Sequence, residues 1–491
     1  MKVVFVYFDF MKGAGGKYYE GIASISAVLK QSNHITKLFH ITDFMDCEQF
    51  LDIYARRYAD FDIAAFSATT NAFYYTAGYA QEIKKRFAAV ITVCGGTHPT
   101  LYPDEAIGAE GIDIICIGEG EYPMAELCSR LEAGGDITDI ANLWVKRDGK
   151  IFRNPVRPLI ADLDSLPMPD RKIFDYESSA DKRMRRLVFM SSRGCPFNCA
   201  HCCNHALKKA GPDSGPYVRF KSAGRMISEM QLCLGQYEGI EHIIFHDDIL
   251  NLKRGWFAEF ASQYKKEIDL PYACNSRFDL LDEKAVELLR ESGCMQLNLG
   301  LESGDDFIRR TVLNRNQSAE QIVKAGNLCR QKDIKLYIFT MVGIPHEDKR
   351  KALNTVKLTA RLRPDIVQTS VYYPYAQTAL YDECREKGYL TGRRLDSYFE
   401  ADTVLNLPDF SKDEIQFAYR NFKVFVSYYV TAQKLGGPLG GVLAKVIDFM
   451  WLHRRIYLLL EPVYRSLKKL YKRLFGKQKS ENRSRKTENK K

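Results

Sequence analysis

Apolar positions fall into two long regions of short β-like runs alternating with helical patterns, then a third region that is helical to its end. In the first, Lys2–Phe8, Ile35–Ile41, Asp62–Ala68, Ala89–Cys94 and Asp113–Ile117 are brief and rich in β-branched residues, and helical spacing fills Gly21–Lys30 and Ala77–Phe87. Such alternation predicts βαβ units and a parallel sheet. Five strands suit a doubly wound, flavodoxin-like (Rossmann-type) domain over residues 1–140. Asp148-Gly149 between apolar runs signals a hairpin, and Leu166-Pro167-Met168-Pro169-Asp170 is stiff and extended, so 141–180 reads as hairpin and linker.

The second region offers strands at Leu187–Ser191, His242–Phe245, Tyr272–Asn275, Gln296–Leu299, Lys335–Met341 and Ile366–Val371, with helical patterns such as Glu283–Glu291 and Ala319–Gln331 between them. Six repeated βα units predict a partial (β/α)6 TIM-like barrel over 181–385, whose functional loops follow the strands. Residues 386–476 read as a helical domain, with long patterns at Ile415–Leu435 and Leu443–Leu474, and 477–491 as a disordered basic tail.

Charge changes this picture little once it is located. The chain of 491 residues carries a net +10, but Lys468–Lys491 alone holds 11 Lys or Arg against 2 Glu, a net +9. The remaining body is near neutral, which argues against a nucleic-acid-binding surface. Thirteen cysteines, an odd number, without a secretory signal at the N-terminus, fit reduced thiols in a cytoplasmic protein. No apolar run of about 18 residues is free of charge, so no membrane span is expected. The segment Leu439–Leu474 interleaves Lys and Arg with Trp451, Tyr457 and Leu458–Leu460. It can pack on the barrel with a solvated basic face, or make a peripheral contact with anionic lipid.

Ligands of doubly wound sheets sit outside the carboxyl ends of the strands. Those ends run into Lys12-Gly13-Ala14-Gly15-Gly16, Ser67-Ala68-Thr69-Thr70-Asn71, Gly95-Gly96-Thr97-His98-Pro99 and Gly118-Glu119-Gly120-Glu121. Small residues let a ligand approach the backbone. Four such loops on one edge suggest a large, flat ligand; ordinary βα turns are the alternative.

The strand at Leu187–Ser191 delivers Ser192-Arg193-Gly194-Cys195-Pro196-Phe197-Asn198-Cys199-Ala200-His201-Cys202-Cys203. Three thiolates in an eight-residue loop can wrap one metal centre, and thiolates favour iron–sulfur clusters or zinc. Cys203 or His205 could instead complete a four-ligand zinc site.

The C-x3-C-x2-C spacing, at the end of a strand that opens a βα barrel, resembles the radical S-adenosylmethionine (radical SAM) superfamily. That resemblance implies a [4Fe-4S] cluster on Cys195, Cys199 and Cys202, with the remaining iron chelating S-adenosylmethionine. His201 stands where the family usually has an aromatic residue and could pack on adenine. Further along, Phe245-His246-Asp247-Asp248, Asn275-Ser276-Arg277, Gly300-Leu301-Glu302-Ser303-Gly304 and Gly343-Ile344-Pro345-His346-Glu347 end successive strands and resemble the family's S-adenosylmethionine-binding positions. The resemblance thus implicates His201, Asp247, Asp248, Arg277, Glu302 and Gly343 in holding that cofactor.

With a flavodoxin-like domain before the barrel, the chain resembles the cobalamin-binding class of these proteins over about residues 1–385. This implies cobalamin contacts from Gly15, Ser67, Thr69, Gly95, Gly96, His98, Gly118, Glu119 and Gly120. The Asp-x-His-x-x-Gly motif of many cobalamin enzymes is missing, so cobalt is expected without a histidine from the first loop; His98 is a weaker candidate. The class implies reductive cleavage of S-adenosylmethionine to a 5′-deoxyadenosyl radical, fed by an external flavodoxin or ferredoxin, and methylation of an unactivated carbon or phosphorus centre of a small molecule or lipid. A radical oxidative cyclase and a non-catalytic iron–sulfur or cobalamin-binding protein are the alternatives. A methylthiotransferase is disfavoured, because Cys47, Cys94 and Cys116 are dispersed and the C-terminus is helical.

Overall fold

The structure, a computed structural model, describes residues 1–9, 15–211, 215–395, 400–459 and 461. The basic tail and the end of the Leu443–Leu474 pattern lie outside the described residues.

Seven strands build the first sheet: β1 (Lys2–Phe8), β2 (Ile35–Ile41), β3 (Ile63–Ser67), β4 (Ile91–Gly95), β5 (Ile114–Cys116), β6 (Leu143–Arg147) and β7 (Lys150–Arg153). Their order is 2-1-3-4-5-6-7, and the first five run parallel. This is the flavodoxin-like order, with its topological switch point between β1 and β3. Both faces of the sheet centre are covered, which explains why β1 and β3 are apolar almost throughout. Val4, Val6 and Phe66 pack with Phe50, Tyr54 and Tyr79 on one side, and Val3, Phe5 and Ile63 with Ile22, Leu29 and Leu127 on the other. The hairpin read from Asp148-Gly149 is present, both residues taking positive φ as a type I′ turn requires. It is no free linker, however: β6 pairs antiparallel with β5 and extends the sheet.

In the second region come β8 (Arg186–Phe189), the short antiparallel pair β9 (Ser192–Arg193) and β10 (Arg219–Phe220), then β11 (His242–Phe245), β12 (Tyr272–Ser276), β13 (Cys294–Glu302), β14 (Lys335–Val342) and β15 (Ile366–Val371). The strands β8, β11, β12, β13, β14 and β15 form one parallel six-stranded sheet in chain order. Leu297 and Leu299 of β13 pack into the helix-side core with Phe245, Cys274 and Ile338. The alternate residues of the same strands are polar and bonded to each other: Gln296 donates to Asn298, Asn298 to Asn275, and Asn275 to the Asp247 carbonyl.

Helices Lys412–Leu435 and Gly437–Leu452 follow, the latter capped at His453 rather than running unbroken toward Leu474. Phe417, Phe425, Ile447 and Trp451 form a common core with Val342, Val371 and Leu353 of the barrel. Packing on the barrel therefore accounts for one face of this pair. No described helix is long and apolar enough to cross a membrane.

Candidate functional site

The carboxyl ends of the first sheet and the opening loops of the barrel face one another across a cleft of about 1680 Å3, its open mouth included. Its enclosed part is about 400 Å3, within the roughly 300–1,000 Å3 of ordinary ligand and cofactor sites, and the open mouth leaves room for a ligand that extends beyond it. From the first domain it is lined by Ser67, Gly95, Gly96, Gly118, Glu119 and Gly120; from the barrel by Arg193, Gly194, Asn204, His246 and Asp248. Gly96 has φ +102°, and a Cβ there would stand 2.8 Å from the Ala68 carbonyl oxygen. Only glycine leaves that backbone where it is.

Three of the residues expected at this edge lie elsewhere. Gly15 packs against the Asp9 carbonyl and Thr42. Thr69 is exposed ahead of the helix Thr70–Arg86. His98 is buried, its ring stacked between Phe73 and Tyr102 at centroid distances of 3.9 and 4.9 Å. Among the described residues neither ring nitrogen of His98 has a partner, and burial pushes its pKa down to about 4, so the ring is neutral.

Glu119 faces the cleft but is already engaged. Its carboxylate accepts from Arg193 (2.7 Å), Arg219 (2.9 Å) and the Ile160 amide (2.8 Å). Burial opposes the charge, yet Arg193 and Arg219 hold this carboxyl below the usual range. Glu121 accepts from Arg193 (2.6 Å) and Ser24 (2.7 Å). A second knot lies nearby: Lys221 donates to Glu20 and Glu229, both at 2.8 Å, and Arg171 to Glu229 at 3.2 Å. The two acids of the Gly118–Glu121 loop thus pin the first domain to the residue two before Cys195. Sequence reasoning missed Arg193 as a partner for them, and nothing local marks Arg219.

The cysteine loop is braced from its base. Asp247 is fully buried and accepts from the Ser191 amide and hydroxyl and the Ser192 hydroxyl. Asp248 lines the cleft and accepts from Asn204 at 2.9 Å. The loop is clamped further by Ala200 donating to the Leu313 carbonyl and Asn314 to the Asn198 carbonyl. Cys199 is buried, Cys195, Cys202 and Cys203 are half-buried, and all four thiols are free. Among the described residues no three His, Cys, Asp or Glu side chains are gathered tightly enough to hold a bare metal ion.

Two guanidiniums converge on this loop. Arg277 and Arg315 each donate to Cys199 Sγ at 3.6 Å. Arg277 lies 3.6 Å over the Phe197 ring centroid and is held by Asp279, while Arg315 also donates to the Gly300 carbonyl. Two fixed cations beside a thiol suit a negatively charged thiolate–metal assembly. Among the described residues the buried Nδ1 of His201 has no partner, and burial with the two arginines pushes its pKa down to about 3. Sequence reasoning found Arg277 and missed Arg315, which follows a π-helical turn at Ile308–Val312.

Glu302 sits where β13 loses register with β14, at φ +60°. A non-glycine residue there stores strain, of the kind that collects at ligand sites. Among the described residues its carboxylate has no hydrogen-bond partner; burial raises its pKa and Arg315 and Arg277 pull it back. A carboxylate held in this way is free to accept from a ligand's amino group or hydroxyls. Gly343, at φ +78°, donates its amide to Glu347 at 2.7 Å, and Ile344 does the same at 3.2 Å. Glu347 therefore staples this turn from within. Tyr372 is buried in the core beside the C-terminal helices, and the Tyr373 ring lies tilted against that of Tyr375, centroids 5.4 Å apart.

Comparison with known proteins agrees with this division. The Radical SAM superfamily matches at residues 189–359 and the B12 binding domain at 19–128. An uncharacterized methyltransferase of Pyrococcus horikoshii is 26% identical over 417 residues, 84% of this chain and 88% of its own. The anaerobic magnesium-protoporphyrin IX monomethyl ester cyclase of Rubrivivax gelatinosus is 28% identical over 338 residues, 66% of this chain and 59% of its own. Among solved structures, the cobalamin-dependent S-adenosylmethionine radical enzyme OxsB, with aqua-cobalamin and S-adenosylmethionine bound, shares the fold at a TM-score of 0.67 and 15% identity, over 97% of this chain and 75% of that one.

Proposed function

We propose that this chain, a cobalamin-binding radical SAM protein, methylates an unactivated carbon or phosphorus centre of a small molecule or lipid. The observation that carries this reading is the single cleft bounded by the glycine loops of one domain and the base of the cysteine loop of the other. When bound, the [4Fe-4S] cluster with S-adenosylmethionine supplies a 5′-deoxyadenosyl radical, and cobalamin supplies a methyl carrier.

The chain's own residues then have these tasks. Cys195, Cys199 and Cys202 provide the thiolates, and Arg277 and Arg315 offset their charge through Cys199. Glu302 accepts from the amino group or ribose hydroxyls of S-adenosylmethionine, and His201 packs on its adenine. Ser67, Gly95, Gly96, Gly118 and Gly120 lie against cobalamin. His98, buried and stacked between Phe73 and Tyr102, would not be among the residues that hold cobalamin. Electrons come from an external flavodoxin or ferredoxin.

A second reading, a radical oxidative cyclase, is favoured by the 28% identity to the Rubrivivax enzyme; the Pyrococcus relative named a methyltransferase supports the first. The full chain, reconstituted with iron, sulfide and hydroxocobalamin and then reduced, separates them. Formation of both S-adenosylhomocysteine and 5′-deoxyadenosine marks methyl transfer. 5′-Deoxyadenosine alone marks the cyclase. Neither product, at full iron and cobalamin loading, leaves only a binding protein.

A further inference from the structure

The helix Gly437–Leu452 is apolar on two opposite sides. Gly440, Ile447 and Trp451 are buried against the barrel-side core. Opposite them, Leu439, Val442, Val446 and Phe449 recur at helical spacing and are 75%, 61%, 47% and 49% exposed. A helix that is apolar around its circumference is normally covered on all sides, and contiguous exposed apolar residues mark an interaction surface. The stripe continues past the helix end with exposed Ile456, Leu458 and Leu459.

The charge around the stripe says what covers it. From Gln416 to Leu459 the sole acidic residue is Asp448, and it is bound to Lys357 and Tyr429. Arg420, Lys423, Lys434, Lys445 and Arg455 are all exposed on these same elements. From Leu460 to Lys491 the sequence then carries 12 Lys or Arg against 3 Glu. Asp413, the exposed acid of the first turn of Lys412–Leu435, is paired with Arg454, so the unpaired charge exposed on these helices is mainly cationic, and an apolar helix face of this kind complements an interface that offers acyl chains beneath anionic headgroups. A second copy of the same surface would bring like charges together.

We infer that the exposed face of Gly437–Leu452 docks the protein on an anionic lipid bilayer, with Leu439, Val442, Val446 and Phe449 entering the headgroup boundary and Lys445 and Arg455 facing the phosphates. This inference does not depend on the cofactors.

Flotation of the full chain with vesicles of phosphatidylcholine, with and without phosphatidylglycerol, tests it against the double variant V446E/F449E. Both side chains are exposed, so the variant folds, which an unchanged circular dichroism spectrum and thermal midpoint check. The wild-type chain should float with the phosphatidylglycerol vesicles, less at high salt, and the variant should lose about tenfold or more of that binding. Equal binding by the two chains, or no flotation of the wild type, overturns the inference. So does a wild-type dimer in solution that the same variant converts to monomer, since the face then belongs to a second copy.

Discussion

On the first sheet, the loops after β3, β4 and β5 reach the cleft through Ser67, Gly95, Gly96, Gly118 and Gly120, positions with little or no side chain. Around the barrel loops the groups are ionic and fixed: Arg277 and Arg315 on Cys199, and Glu302 held in a strained backbone. The first edge has its two acids neutralised by Arg193 and Arg219, so what it offers a ligand is shape and backbone. The second offers charge. A broad, flat cofactor is recognised by close backbone approach and a small zwitterionic one by paired charges, and each edge is suited to one of these.

The strongest way to break this comparison is at the cysteines. With Cys195, Cys199 and Cys202 all replaced by alanine, bound iron should fall to background and 5′-deoxyadenosine should disappear, while cobalamin is retained. Iron analysis and the cobalamin absorption spectrum on the same sample check this. Loss of cobalamin together with iron would mean that the two edges are not separate sites.

Next in size is the seam that joins the edges. In Arg193→Met, Glu121, 3% exposed, and Glu119 lose a shared cation. Removing one partner of a buried pair costs up to about 3–5 kcal/mol, and Arg219 remains to cover part of Glu119. The urea midpoint of the loaded chain should drop clearly. Adding Glu121→Gln should recover much of the loss, because no buried charge is then left alone; a further drop instead would show that Arg193 matters for something other than these acids.

A smaller and more selective effect is expected at Gly96→Val. The φ of +102° and the 2.8 Å approach to Ala68 force the loop to move. Strain of about 1–3 kcal/mol corresponds to roughly 5–150-fold weaker cobalamin retention, with iron content unchanged. Equilibrium dialysis of cobalamin against wild type is the measurement. Unaltered retention would remove this glycine from the ligand-contacting set.

How much of this was open to sequence reading depends on distance along the chain. The cysteine triad sits in one loop, and the βαβ rhythm is set by neighbouring residues, so both could be read; the helix Ala319–Gln331 was read to its ends. Glu119 is implied as a cobalamin contact by the resemblance of its loop to the cobalamin-binding class, and it does line the cleft. Its partners Arg193 and Arg219 lie 74 and 100 residues away, and only the docking of the domains shows that they claim it. Asp247 is implicated in the sequence by the resemblance of Phe245–Asp248 to a family position; its hydrogen bonds to Ser191 and Ser192, which brace the cysteine loop, join residues too far apart along the chain to be read there. The polar row Gln296, Asn298 and Asn275 was hidden inside apolar strands, because its pairing runs across the sheet.

The smallest expected effect concerns Glu347, which belongs to the barrel's turn and to neither recognition edge. Burial raises its carboxyl to about 8, against the two backbone hydrogen bonds from Ile344 and Gly343 that favour the anion. A group whose folded pKa lies above its unfolded value of 4.5 binds more protons in the native state between those two values. Stability then falls as pH rises through that window and is level below it. The side-chain amide of a Glu347→Gln variant would still offer a carbonyl oxygen to the Gly343 N–H but has no proton to lose. Thermal midpoints of wild type and Glu347→Gln should therefore coincide near pH 4.5 and separate toward pH 8, the variant being higher by about 1 °C for each kcal/mol recovered in a chain of this length. Iron and cobalamin loading should not change in either. A parallel pH dependence in the two chains would show that Glu347 ionises freely, and the turn would then be held by charge, like the barrel edge, rather than by a neutral hydrogen bond.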